Sequence, residues 1–501
     1  MTRFKVEEVF KVSGVPTHTF VEPAEFNSLR VALRNPGRGV VVEGPSGIGK
    51  STAVVRGLES VGMGADATIL SARRREDLEY IEDLPSLGDF GVAIVEDFHV
   101  LDDHIRHRIA DFLKALADEE AQHRKVVIVG INRAGDSLIR HAPDLNNRID
   151  TIRFEVEPRA KIEELVAKGE AALNVRLDAG TDVVEAAEGS FYTAQMLCYE
   201  LCIEANILES VDERHSITIP YGRVRRKVME RQERRFGATA RTLVRGPRFR
   251  PGGRAPYLHI VRWLTEAPGW DISLRDELPR HPNERGSVGQ VVEKGWLVKH
   301  LEDEEISKLV HYDESTTVFS VEDPQLAYYL RNQNWTEFSR GAGFVRADRS
   351  DPFDFAMSFA GEDREFARLL NEELEDCGFS VFYDENEKHR IVAANVEEYL
   401  APIYDSEASY VIVVLGPRYG EKRWPRFESE QFRERMGLGR VIPVLSSLVE
   451  LSAFDGVADI GYLTFDPAAD LRPQARIVAE LCERKITEES AAMCSPHASA
   501  A

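Results

Sequence analysis

Residues 44–51 read GPSGIGKS, which satisfies the pattern G-x-x-x-x-G-K-[ST] without a mismatch. Gly44, Gly47 and Gly49 let backbone N–H groups turn inward around phosphate oxygens. Lys50 supplies the charge for β- and γ-phosphates, and the Ser51 hydroxyl, followed by Thr52, is the ligand type that Mg²⁺ takes there. Two carboxylates, Glu96 and Asp97, end the later run GVAIVEDF, where one acid is expected beside Mg²⁺ and the other beside an attacking water. The commoner order places Asp first, so the division of labour between the two stays open. Asn132 ends a third apolar run, KVVIVGIN, where it can orient a γ-phosphate or a water. Far from these lies a different set, RWPRFESE at 423–430, with Trp424 and then Glu428 four residues on.

The elements that must position the first set are legible around it. Val40–Val42 read as a buried parallel strand, and TAVVRGLES continues as a helix whose positive N-terminus faces the same phosphates. Strand, loop, helix, acid-terminated strand and Asn-terminated strand together resemble the AAA+ and STAND class of P-loop ATPases. That resemblance implies ATP and Mg²⁺ as cofactors, with Ser51 and Glu96 at the metal. It also implies that Arg148, just before a fourth strand, is a candidate for completing a neighbouring subunit's site. The reading assigns residues 1–156 to the ATPase core and 157–222, where apolar residues recur at three- and four-residue steps, to a helical lid. Gly189-Ser190 is expected to start a lid helix close to the nucleotide.

From Gly222 to Arg254 twelve Arg or Lys stand against two Glu, in a chain of net charge -22. Clustered cations at 223–254 could bind nucleic acid through counterion release. They could equally pair with acidic surfaces of their own protein or make an assembly contact. Residues 223–255 are therefore assigned as a basic linker, and 256–335, three helices followed by two strand-like runs, as a winged helix. Its wing carries Glu302, Asp303, Glu304 and Glu305, which oppose phosphate and favour packing against an ATPase over binding DNA.

After a linker at 336–350 the chain reads FDFAMSFAGEDREFARLLNEELEDCGFSVFYDE, a βαβ unit, followed by two more buried runs, YVIVVLG and RVIPVLSSL. A small flavodoxin-like parallel sheet follows from that order, with its sites at the carboxyl ends of the strands. SFAGEDR, VFYDE and GPRYGEKRWPRFESE, in that order, resemble the bacterial TIR family over 351–481. The resemblance implies NAD⁺ as substrate, Glu428 as the catalytic carboxylate, and Ser358, Asp384 and Trp424 at the pocket. The chemistry suits one carboxylate. The nicotinamide of NAD⁺ is already cationic and leaves neutral, so no acid is needed, and one anion stabilises the oxocarbenium. The stretch IVAAN at 391–395 departs from the loop found in one TIR subfamily. Residues 482–501 are expected to be a disordered tail.

The fold class is thus α/β multidomain: a P-loop AAA+/STAND ATPase with helical lid, winged helix and C-terminal flavodoxin-like TIR domain. An overall acidic balance argues against a protein that coats nucleic acid. No apolar run reaches the ~20 residues that span a bilayer, and MTRFKVEEVF lacks a secretory h-region, so the expectation is a cytoplasmic protein without membrane contact. The five cysteines form no metal-type cluster. The function expected from the resemblances is an ATP-controlled, homo-oligomerising switch that starts NAD⁺ hydrolysis to nicotinamide and an ADP-ribose product in antiphage defence. With no repeat array to act as sensor, the trigger is a phage-derived molecule or a separate sensor protein. The alternative is a DNA-binding AAA+/winged-helix ATPase whose TIR domain only scaffolds.

Overall fold

The computed structural model describes residues 3–130, 143–251, 253–344, 352–383, 403, 407–419, 435–436, 438–449 and 461–494. They fall into two units. One is Met1–Ala238 with Leu264–Ser273 and Ser307–Gln333; the other is Thr239–Trp263 with Leu274–Ile306 and Asn334–Ala501.

The first unit is organised by a parallel sheet of β1 (Gly39–Glu43), β2 (Ala67–Ser71), β3 (Gly91–Glu96), β4 (Arg124–Gly130) and β5 (Ile149–Arg153), in the order β2-β3-β4-β1-β5. Both faces are apolar because both are covered. Val40 and Val42 pack with the helices at Phe26–Arg34 and Lys50–Ser60, and Val41 packs with those at Arg75–Asp83 and Asp103–Asp118. These helices are α2 to α5; α1 is the short Val6–Val9. Inserting β4 between β1 and β3 sets the phosphate loop and the Glu96-Asp97 pair one strand apart on the same edge of the sheet.

The lid follows as α6 (Arg159–Leu173), α7 (Gly180–Ala187) and α8 (Phe191–Glu204), with a two-stranded parallel pair, β6 (Val175–Leu177) and β7 (His215–Ile217). Ser190 caps α8: its hydroxyl accepts from the Thr193 N–H at 3.2 Å. Residues 223–245 of the stretch assigned as basic linker are helical, within α9 (Tyr221–Arg245). The reason is a buried stripe, Val224, Val228, Phe236, Ala240 and Leu243, at helical spacing beneath the cations. Then come α10 (Pro256–Glu266), β8 (Asp271–Ser273), α11 (Arg285–Glu293), β9 (Val310–Asp313), β10 (Val318–Val321) and α12 (Pro324–Arg331). Strands β8, β10 and β9 form an antiparallel sheet in that order, within the first unit. The strand at Asp271–Ser273 was not anticipated from the sequence; three residues are too short to show a period.

The second unit holds another parallel sheet, β12-β11-β13-β14-β15, from β11 (Phe353–Phe359), β12 (Val381–Phe382), β13 (Ala408–Leu415), β14 (Val441–Ser446) and β15 (Leu463–Phe465). Helix α13 (Arg364–Asp376) joins β11 to β12. The expected disordered tail is contradicted in part: helix α14 runs from Leu471 to Cys494. Cys482 and Ile486, beyond the expected boundary at 481, are buried on the same face as Val478 and Ala479, and so continue the helix's apolar stripe.

Glu157, between β5 and α6, is 5% exposed. Burial first, and then the neighbouring Glu25 carboxylate, push its pKa up to about 7, opposed by the Ala24 N–H and Lys161. The folded state therefore holds a proton that the unfolded chain releases. Stability from this group is complete below about pH 4.5 and is lost as pH rises through 7. Glu157→Gln is expected to raise the melting temperature at pH 8, by roughly 2–4 °C per kcal/mol of relieved penalty, and to change it little at pH 4.5. Equal shifts at both pH values in a thermal-unfolding series would refute this.

Candidate functional site

A cavity of about 400 Å³ opens over the carboxyl edge of the first sheet. Gly47, Gly49, Lys50, Ser51, Thr52, Glu96 and Asp97, all singled out from the sequence, line it. Two glycines are required by the fold. Gly44 has φ +142 and a Cβ there would lie 2.3 Å from the Phe154 carbonyl oxygen; Gly47 has φ +81 and a Cβ would lie 2.7 Å from Pro324 Cβ. The Gly47 carbonyl accepts from the Tyr192 N–H at 3.0 Å, so the lid helix α8 begins directly on the phosphate loop.

Lys50 Nζ donates to the Gly44 and Pro45 carbonyls, each at 2.7 Å. Burial pulls its pKa down to about 8, against the opposing pull of Asp97, Glu96 and Asp271. An ammonium so desolvated is stabilised by any anion that enters, which is what a phosphate-binding cation requires. Asp97 adopts a left-handed conformation, φ 56, and its carboxylate is held by the Ser71 hydroxyl at 3.1 Å and Arg73 at 3.3 Å. Arg73 also pairs with Glu322, another cavity residue. Asp97 is thus paired with a cation, whereas Glu96, at the end of β3, lines the cavity as Ser51 does.

One wall of the cavity had no signal in the sequence. Residues from Lys11 to Pro23 supply it, and Gln195 of α8 pins it by donating to the Thr19 hydroxyl at 2.6 Å, which donates in turn to the Val9 carbonyl at 2.8 Å. No motif marks this segment, because backbone shape and a single buried threonine do the positioning. Arg148 does not line the cavity; it pairs with Asp118 at the end of α5, at 2.9 Å. Asn132 lies outside the described residues.

In the second sheet Ser358, on β11, is fully buried and hydrogen-bonded to the Tyr419 hydroxyl at 2.6 Å. It therefore ties β11 to the turn that follows β13. Asp363 sits between the carboxyl ends of β11 and β13, where burial and then Glu362 push its pKa up to about 6. A Cβ at Gly416 would lie 2.1 Å from this carboxylate, so a side chain there would displace it. Phe359 and Tyr383 stack at 5.4 Å beside it. Asp384, Trp424 and Glu428 lie outside the described residues. Among the described residues no group of His, Cys, Asp and Glu has the arrangement of a metal site, and no helix is long and apolar enough to cross a membrane.

Residues 355–478 match the family model described as TIR domain. The chain is 34% identical over 88 residues to the 3' cyclic ADP-D-ribose synthase AaTIR of Aquimarina amphilecti. That match covers 18% of this chain and 27% of the relative, so the chain spans only about a quarter of the curated protein it resembles. Among solved structures, the Aeropyrum pernix ORC2 protein in ADPNP–ADP complexes is 14% identical, with TM-score 0.36, over 68% of this chain and 99% of that one. The Aeropyrum pernix ORC1 protein in complex with DNA is 13% identical, with TM-score 0.36, over 67% and 98%. The Thermotoga maritima RuvB Holliday junction branch migration motor is 13% identical, with TM-score 0.31, over 62% and 97%. By its parallel sheet and phosphate loop the N-terminal part has a P-loop ATPase-like fold. The C-terminal part is a TIR domain, and the chain is a fusion of the two.

Lys50→Ala removes a charged donor worth ~1.5–3 kcal/mol, or roughly 10- to 100-fold in affinity. Titration with a fluorescent ATP analogue is expected to show that loss. Unchanged affinity would mean that the cavity takes its ligand without the phosphate loop.

Proposed function

We propose that this protein is an ATP-controlled, homo-oligomerising switch whose TIR domain cleaves NAD⁺, acting in antiphage defence through loss of cellular NAD⁺. The observation that carries the reading is the fusion itself. A cavity built by a phosphate loop stands on the same chain as a TIR domain related to a protein named for making a cyclic ADP-ribose. Lys50 and the loop N–H groups hold the triphosphate, Ser51 and Glu96 hold Mg²⁺, and Asp97 orients water once Arg73 releases it. Asn132 reads the γ-phosphate, and Arg148, outside its own cavity, reaches a neighbouring copy.

In the TIR domain the C1′–N bond of NAD⁺ breaks and both its electrons go to nicotinamide, which departs neutral. Glu428, hydrogen-bonded to the ribose hydroxyls, stabilises the positive charge that grows on the sugar. Trp424 and Asp384 border the pocket, and Ser358 supports its floor through Tyr419. Water captures C1′ and releases a proton, giving ADP-ribose; capture by a hydroxyl of the same molecule gives a cyclic product. The scaffold alternative leaned on the cations of 223–254, and many of these are used within the protein. Arg223 and Lys227 pair with Glu204, each at 2.5 Å, Arg231 pairs with Glu200 at 2.5 Å, and Arg235 pairs with Asp323 at 3.0 Å.

Glu428→Gln is expected to cost NAD⁺ cleavage about 3–4 kcal/mol, or roughly two to three powers of ten, with ATP binding and assembly intact. Glu430→Gln, two residues along a stretch expected to be helical, should be nearly silent, because only i+3 and i+4 neighbours share a face. Nicotinamide release with ATP and Mg²⁺ measures both. An active Glu428→Gln would leave the TIR domain as a scaffold.

Arg148→Ala is expected to keep ATP affinity and lose assembly or hydrolysis. Mixing it with Glu96→Ala subunits should restore part of the turnover, since one composite site in the mixture is intact. If Arg148→Ala assembles and hydrolyses like the parent, the residue serves only its ion pair with Asp118.

A further inference from the structure

The distal half of the cationic stretch has no part in the function just proposed. All of it from Arg245 onward lies in the second unit, together with the TIR domain. Arg254 Nε donates to Asp354 Oδ2 at 3.0 Å, and the two side chains are 5% and 4% exposed. The same carboxylate oxygen accepts from the Ser380 N–H at 2.9 Å, while the Asp354 N–H donates to the Ser380 carbonyl at 2.8 Å. Arg250 lies over the Phe379 ring at 3.9 Å, pairs with Glu483 at 3.1 Å, and donates to the Cys377 carbonyl. Helix α11 adds Gln290, which donates to the Glu375 carbonyl at 3.1 Å. Just beyond its end, Lys294 pairs with Glu375 at 2.7 Å. At Gly286 the approach is close: a Cβ there would lie 2.6 Å from Ser380 Oγ.

These contacts share one location. Asp354 is near the start of β11, residues 377–380 lead into β12, and Glu375 is at the end of the helix between them. They grip the amino end of the parallel sheet. In such sheets the ligand crevice lies outside the carboxyl ends, at the point where strand order reverses, here between β11 and β13. That is the end that carries Asp363 and the Ser358–Tyr419 pair. A contact that silenced the TIR domain by cover would have to sit there, and this one does not. Nor can Arg254 serve a phosphate backbone, because its partner and its burial hold it inside the protein. Breaking a desolvated ion pair strands a buried charge, so a junction built on one resists acting as a hinge.

We propose that Arg250, Arg254 and α11 form a permanent anchor that holds the TIR domain by the amino end of its sheet. Anchor and TIR domain move as one body, and the opposite, catalytic end is presented free to a second copy. The link to activation rests on the NAD⁺-cleaving reading; the anchor itself does not.

The test locks the contact. A Cβ at Gly286 lies 3.9 Å from Ser380 Cβ, within the ~3.5–4.5 Å that a disulfide spans. The double variant Gly286→Cys, Ser380→Cys is oxidised, and ATP-dependent assembly and NAD⁺ consumption are compared before and after reduction. A cross-link across a contact present in both states favours neither, so the two forms should agree within about two-fold. An oxidised form that is inactive and recovers on reduction overturns the proposal, as does failure of the two thiols to cross-link. Hydrogen exchange of the Ser380 N–H in the unmodified protein is read in parallel, with and without ATP. Protection in both conditions is expected, and its loss on assembly would show that the anchor opens. If protection persists while no NAD⁺ is consumed under any condition, the anchor stands and the enzymatic reading falls.

Discussion

A buried ammonium is the constraint on which the phosphate-loop cavity turns. Lys50 is held by two carbonyls of its own loop, with Asp97, Glu96 and Asp271 contributing through space. Carbonyl dipoles compensate desolvation only in part, so an anion brought to the loop is stabilised there. The surroundings of the loop are closely packed. Gly47 is pressed between Pro324 and Tyr192, and its carbonyl is engaged by α8. Phosphate loop, lid helix and the segment after β10 therefore share one small volume, and a change in any one of them is felt by the other two.

The Arg73 contacts extend this coupling to the acid beside the cavity. A guanidinium between Asp97 and Glu322 neutralises one carboxylate of the cavity, and it draws on a residue that follows β10. Asp97 gains freedom only as Arg73 moves. The chemistry of the loop and the conformation of the 307–333 segment are in this way two aspects of a single charge cluster.

The sequence was most informative where function demands a fixed spacing of residue types. GPSGIGKS, the acid-terminated β3 and the cap at Ser190 lie where their chemistry required. It was least informative where backbone shape does the work, as in the wall from Lys11 to Pro23, whose one polar anchor, Thr19, has no distinctive neighbours. The cationic stretch left its alternatives open for a different reason. Arginines spaced for nucleic acid and arginines spaced along a helix over acidic partners look alike until Glu200, Glu204 and Asp354 are brought beside them. The tail was misjudged because the small and polar composition of 486–501 outweighed Cys482 and Ile486, whose burial carries the helix onward.

The anchor on the TIR domain recognises main chain as much as side chain. Arg250 and Gln290 address the carbonyls of Cys377 and Glu375, groups that every residue possesses. Substitution at those two positions leaves the acceptors in place, so the TIR surface can diverge in sequence without losing its attachment. The demanding positions are Asp354, Ser380 and the bare backbone of Gly286. An effector of different sequence that keeps one acid at the start of its first strand could be exchanged onto the same mount, which makes the junction a natural point of modular replacement in evolution.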